Sequence, residues 1–300
     1  MEAAPLRYAG VATLLRRPLV NDPSGVDIAL IGVPYDGATE NRPGTRHGPR
    51  EIRNMSSFTR SIHHVTRVNP YELCNVADLG DVNFSNPFGL IQCFADITDF
   101  YRKICAAGAV PLSVGGDHSI SFPILRAVAA EQPVGMIHLD AHTDTNDTEL
   151  RYKFTHGTPF RRAMEEDLLD PKRTIQIGIR GAQNSEESWQ GSEDAGIRVM
   201  YMEEFTSLGI EATLNEVRNV VGQEPAYISF DISYPYCIIF IIGPQQIHHF
   251  FIFKDQQIVF ESLHSIKPNP THTTLISIIP AIPANSPMTG LKCIGDQLTH

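Results

Sequence analysis

Short apolar runs and longer amphipathic stretches alternate along the first 232 residues. The runs at 27–33, 75–77, 110–114, 134–139, 174–179, 198–202 and 226–230 predict strands. Apolar residues recurring every three or four positions predict helices over 48–59, 90–107, 120–130, 158–169 and 209–221. The helix at 48 is entered through Pro49. The clearest helix is 90–107, in which Ile91, Phe94, Ile97, Tyr101 and Ile104 form one stripe. Strands alternating with helices make βαβ units, so the expected fold class is α/β, a mostly parallel sheet covered on both faces. The polar stretch 183–195 reads as a loop, and its Trp189 as lining a substrate entrance or an oligomer contact.

The pattern changes after Ile232. The last 68 residues hold only 6 charged side chains and no arginine, against 52 charged residues before them. They also hold 13 isoleucines and 7 prolines, and sustain neither a helical nor a strand period. Prolines 268, 270, 280, 283 and 287 would interrupt a helix or a central strand. The expected organisation is therefore an α/β unit over 1–232 and an irregular tail over 233–300.

A net charge of −10 argues against nucleic acid as a partner and favours cationic ligands. Five cysteines without a CxxC pair read as reduced thiols. No apolar stretch reaches transmembrane length, since the run at 237–242 meets Gly243-Pro244 at once. Arg7, Arg16 and Arg17 face only Glu2 at the amino end, a faint transit-peptide pattern. The expected location is cytoplasmic, with a mitochondrial alternative.

The chemistry gathers at strand ends. The run Val134-Gly-Met-Ile-His-Leu closes on Asp140, His142 and Asp144, and alternate residues of an extended segment point one way. Gly115-Gly-Asp-His-Ser119 follows the strand at 110–114, and Asp231 ends the strand at 226–230. Three strands thus deliver carboxylates and imidazoles from their carboxyl ends, where open α/β sheets place their sites. Oxygen and imidazole donors without thiolates favour Mn²⁺, Mg²⁺, Fe²⁺ or Zn²⁺, and two such ions sharing carboxylates suit hydrolysis. His156, on a loop twelve residues past Asp144, suits proton transfer between site and solvent.

Gly115-Gly-Asp-His-Ser119, His138-Leu-Asp-Ala-His-Thr-Asp144 and Ile228-Ser-Phe-Asp231 resemble the metal-binding motifs of the ureohydrolase family, which comprises arginase, agmatinase and related guanidino hydrolases. Ile31-Gly-Val-Pro34, Arg42-Pro-Gly-Thr-Arg-His-Gly-Pro-Arg50, Asp78-Leu-Gly-Asp81 and Ile177-Gly-Ile-Arg-Gly181 extend the resemblance over about residues 8–232. Tyr8-Ala-Gly-Val-Ala-Thr13 is similar to the start of such a catalytic domain, which weakens the transit-peptide reading. The motifs are more similar to agmatinase than to arginase.

The resemblance implies an arginase-like three-layer fold, a homo-oligomer and two Mn²⁺ ions per chain. His118, Asp140, Asp144 and Asp231 would hold one ion, and Asp140, His142 and Asp231 the other. His156 takes the place of a proton-shuttle or substrate-positioning histidine. The implied reaction is hydrolysis of agmatine to urea and putrescine. The alternatives are a sister activity on guanidinobutyrate or arginine, or a catalytically impaired member acting only as an oligomer subunit.

One position departs from the family pattern. Ser233 stands where the motif has a second aspartate, so the second ion lacks a ligand, and the family's later strands find no match after 232. That loss leaves strand 226–230 with an exposed or makeshift edge, which the isoleucine-rich tail could cover although nothing in its pattern says that it does.

Overall fold

Alternating apolar runs and amphipathic stretches resolve into one parallel sheet flanked by helices. The computed structural model describes residues 6–64, 67–183 and 185–231 with their side chains, and the backbone of 232, 237–243, 246–254, 257–262 and 275–280. The strands are β1 (Ile28–Val33), β2 (Val76–Asp81), β3 (Val110–Gly115), β4 (Val134–Leu139), β5 (Leu169–Ile179), β6 (Arg198–Tyr201) and β7 (Ala226–Ile232). Backbone strands β8 (Cys237–Gly243), β9 (Gln246–Lys254), β10 (Gln257–Ser262) and β11 (Leu275–Pro280) follow. The helices are α1 (Gly48–Ser56), α2 (Leu90–Ala106), α3 (Ser121–Val128), α4 (Pro159–Glu165), α5 (Glu187–Asp194) and α6 (Met202–Val221).

Eight strands pair in the order β2-β1-β3-β11-β7-β4-β5-β6, every pairing parallel. β10, β9 and β8 form a separate antiparallel sheet. Alternation along the strands sends side chains to two cores. Ala29, Ile31 and Val33 join Phe94, Ile97 and Tyr101 of α2 and Phe122 of α3 in one. Leu30, Ile137, Ile175, Ile228 and Phe230 join Leu214, Val217 and Val221 of α6 in the other. The result is helix, sheet, helix, the expected three layers.

Several elements differ from expectation. Ile91 is 62% exposed. It lies about 120° around the helix from Ile97, and the buried stripe of α2 starts at Cys93 instead. β5 begins five residues before the expected strand and takes over the end of the expected helix 158–169. α6 starts at Met202 and bends at Gly209 (φ 74°), so the expected helix 209–221 is its second segment. The polar stretch 183–195 is not all loop: α5 occupies it, and Trp189 packs against the buried Ile179, Ile197 and Val199.

The edge beside β7 is covered by the isoleucine-rich tail. β11 pairs with β7 from Leu275↔Tyr227 to Pro280↔Ile232 and with β3 through Ile276, Ser277 and Ile278. Its sequence, Leu-Ile-Ser-Ile-Ile-Pro, has the β-branched composition of a strand flanked on both sides, and Pro280 stands at its end, where no further ladder donor is needed. Ser233 lies outside the described residues.

Candidate metal centre

Because β3, β4 and β7 run parallel, their carboxyl ends open on one edge of the sheet. Leu139 pairs with Phe230, which brings the next residues, Asp140 and Asp231, side by side. From β3 the chain turns through Gly115-Gly116 into a 3₁₀ turn, His118–Ile120. The glycine at 116 is a close-approach requirement: a Cβ there would lie 1.8 Å from the Tyr35 carbonyl oxygen. Asp117 is buried and holds the turn in place. One of its oxygens accepts from the Ser119 N–H and hydroxyl, and the other from the Ala38 N–H at the end of β1's loop.

His118 is the centre of the cluster. Its Nδ1 lies 2.7 Å from Asp144 Oδ2, 3.2 Å from Asp140 Oδ2 and 3.7 Å from Asp231 Oδ2, while its Nε2 meets the Ser229 hydroxyl at 2.7 Å. Asp140 Oδ1 accepts from the His142 N–H at 3.0 Å and lies 3.6 Å from His142 Nδ1. His118 and Asp140 are buried, and the His142 side chain is 55% exposed. Phe160 packs edge-on against the rings of His118 and His138 and gives the cluster an apolar floor.

The predicted ligands His118, Asp140, His142, Asp144 and Asp231 are therefore brought together. His156 has contacts of its own. Its Nε2 faces Glu149 Oε2 at 3.9 Å, and its backbone N–H donates to the Ala38 carbonyl. Glu149 in turn accepts from the residues on either side of His156, the Thr155 hydroxyl (2.5 Å) and the Gly157 N–H (3.3 Å). Asp117 and His156 thus share Ala38 as a common support.

The charge state follows from the excess of carboxylates. Burial works against an imidazolium at His118, but the close carboxylates of Asp140 and Asp144 outweigh it and hold its pKa well above 6.5. Burial would also raise Asp140, yet His118, His138 and His142 hold it well below the usual carboxylate range. His142, hydrogen-bonded to Asp140 and near Asp144 and Asp231, is pushed up to about 9.

The donor set fits a hard divalent cation. Nδ1 of His118 is buried and surrounded by carboxylates, yet makes no hydrogen bond of good geometry. Three carboxylates that converge on one imidazole nitrogen are arranged as ligands are. His118, His138 and Asp140 also bring one donor atom each within 4.8 Å of one another.

His138 was absent from the residues expected at the site, as were Gln176, Ser229 and Glu149. His138 was legible, because it lies two residues before Asp140 on the same strand face. Gln176 was signalled only by a lone amide between Ile175 and Ile177.

Comparison with known proteins shows the family. The profile of the Arginase family matches residues 26–234. The chain is 54% identical over 238 residues to a guanidinopropionase from Pseudomonas aeruginosa, covering 78% of this chain and 74% of that protein. It is 46% identical over 228 residues to the mitochondrial agmatinase of Gallus gallus, covering 76% and 67%. Among solved structures, proclavaminate amidino hydrolase from Streptomyces clavuligerus superimposes with a TM-score of 0.72 at 38% identity, covering 76% of each chain.

Proposed function

We propose, from the premise that this chain belongs to the arginase family and is a hydrolase of guanidino C–N bonds, that it is a manganese-dependent ureohydrolase of a short linear guanidino compound. The observation that carries this reading is the convergence of Asp140, Asp144 and Asp231 on Nδ1 of His118. His118, Asp140, Asp144 and Asp231 would hold one Mn²⁺, and Asp140, His142 and Asp231 a second. When bound, such ions supply a water acidified enough to be hydroxide at neutral pH.

The chain's own residues do the rest. The acidic cluster draws the cationic guanidinium to the carboxyl edge of the sheet. Phe160 excludes water from beneath it. His156 carries a proton at Nε2, opposite Glu149, to the amine that leaves as the C–N bond breaks and urea forms.

For the substrate, the motifs and the similarity to an agmatinase support agmatine, giving putrescine. The greater identity to a guanidinopropionase supports a second reading, an ω-guanidino acid. Urea release by the Mn²⁺-loaded chain from agmatine, 3-guanidinopropionate, 4-guanidinobutyrate and arginine tests both, with His118→Ala as the control. Urea from none of the four, from folded and metal-loaded protein, sinks the hydrolase reading.

Ser233 supports the impaired-member alternative, because it offers a hydroxyl where the family pattern has a carboxylate. One bound Mn²⁺ per chain favours impairment, and two favour the enzyme. The family match ends at 234, beside the composition change, which supports a catalytic unit over 1–232 and a distinct segment after it. A homo-oligomer is our reading from the family resemblance, which light scattering would test directly. No helix among the described residues is long and apolar enough to cross a membrane. A cytoplasmic location is our reading, and the mitochondrial name of the Gallus gallus relative supports the alternative.

A further inference from the structure

Gln176 lies in β5 directly opposite His138 of β4, and both are fully buried. Its amide nitrogen makes two contacts, with the Thr143 carbonyl at 2.6 Å and with His138 Nδ1 at 3.1 Å. A backbone carbonyl can only accept, so the atom facing it is the amide NH₂, and the orientation of the side chain is fixed. The second amide hydrogen then points at His138 Nδ1, which must present its lone pair. The single proton of the neutral ring is left on Nε2, whose neighbour is Asp140 Oδ2 at 3.1 Å. Gln176 Oε1, although buried, makes no hydrogen bond. An amide that spends both hydrogens and leaves its buried oxygen bare is placed for what its hydrogens hold.

We infer that Gln176 is a positioning residue of the metal centre: by fixing the proton of His138 on Nε2, it makes His138 a donor to Asp140 and removes it from the ligand set. This rests on the reading that the cluster holds a metal. His138 is close enough to bind a cation together with His118 and Asp140, so its exclusion needs a cause. With the proton on Nε2 there is no lone pair to offer. Asp140 instead receives His138 on Oδ2 and the His142 N–H on Oδ1. Each oxygen keeps acceptor capacity for a cation on the side of Asp231. The reversed tautomer would aim a lone pair at Asp140 Oδ2 and draw a cation inward, between His118 and His138. Gln176 thereby sets the identity of the ligands from a position that touches none of them. This is the kind of outer contact whose loss typically costs about 10–100-fold in metal affinity.

Two measurements on the full chain test the role without relying on turnover. The first is ¹⁵N NMR of the imidazole nitrogens, which distinguishes a protonated from a lone-pair nitrogen. His138 is expected to show the proton on Nε2, and a proton on Nδ1 or on both nitrogens overturns the inference. The second is Mn²⁺ affinity by calorimetry for the wild type, Gln176→Leu, His138→Asn and the double variant. The expected result is a loss of about 10–100-fold for Gln176→Leu in the wild type, and no more than roughly twofold in the His138→Asn background. An unchanged affinity, or equal losses in both backgrounds, overturns it, because the effect would then not pass through His138. Thermal unfolding in chelator establishes that each variant folds. Should Gln176→Leu not fold, Gln176→Glu keeps the shape while turning the donor into an acceptor, and the same comparison decides. Urea release is scored separately, so a failure of the hydrolase reading and a failure of this role give different results.

Discussion

Asp144 Oδ2 lies 2.7 Å from Nδ1 of His118, and Asp144 adopts a left-handed backbone (φ 51°) where it makes that approach. Such a conformation is uncommon for residues other than glycine, although aspartate tolerates it better than most. Replacing the carboxylate by its neutral isostere keeps the backbone preference and removes the charge. Asp144→Asn is therefore expected to fold as the wild type does and to bind Mn²⁺ at least about 10–100-fold more weakly. Elemental analysis after dialysis, beside a melting curve in chelator, checks both halves.

Metal uptake should release protons. The carboxylates around His118 hold its pKa well above 6.5, so the metal-free imidazole is charged at neutral pH. A cation can take Nδ1 only by expelling that proton. The sign is fixed: affinity falls as the pH falls, and rises with pH until His118 titrates in the metal-free state. About one proton per ion bound at His118 is expected at pH 7, measured by calorimetry in buffers of different ionisation enthalpy. Uptake independent of buffer would contradict it.

Gly116 has no room for a side chain, because the obstacle is the Tyr35 carbonyl, which is backbone and cannot swing away. Gly116→Ala should push the turn off the end of β1, break the Asp117 N–H bond to Tyr35 (2.8 Å) and displace His118. A destabilisation above about 3 kcal/mol is expected, together with loss of bound metal. Chemical denaturation of the metal-free variant reads the first, and metal content the second.

On β2, Asp78 is gripped by Arg53 through two parallel hydrogen bonds of 2.9 and 3.0 Å, and Arg53 also reaches Asp81 at 2.5 Å. The side chain of Asp78 is fully buried, and it also accepts from the Leu14 N–H at 2.7 Å. Asp78→Ala leaves a buried guanidinium without its main partner and should cost about 3–5 kcal/mol. Arg53→Met with Asp78→Leu should cost less, because no charge is stranded. Urea denaturation of the three proteins orders them.

The parts that sequence made legible are those where polar residues interrupt apolar runs. Asp140, Asp144 and Asp231 stood out because each closes or follows a strand whose other residues are apolar. The helix α5 was illegible for the opposite reason. Ser188 and Ser192, the residues it buries, are small and polar, so they register as no apolar stripe. It docks by hydrogen bonds, the Thr143 hydroxyl to the Ser188 carbonyl and Thr145 to Ser192 at 2.7 Å, and so braces the very loop that carries His142 and Asp144. Gln176 escaped notice similarly, since its meaning lies in the register of β5 against β4, which no single run of residues contains. That the tail covers β7 was not legible because the isoleucines of 275–280 lacked a period, and a strand paired on both sides needs none.

β3 and β7 are neighbours of β11 and not of each other, and this has a consequence for the order of events in the cell. During synthesis, the pieces β2-β1-β3 and β7-β4-β5-β6 are complete long before residue 275 is made. Until then each carries an unpaired inner edge, a natural target for chaperones or for another nascent chain. His118 belongs to one piece, and Asp140, Asp144 and Asp231 to the other. The candidate ligands are therefore made in sequence, but the two pieces that carry them are joined only when β11 is in place.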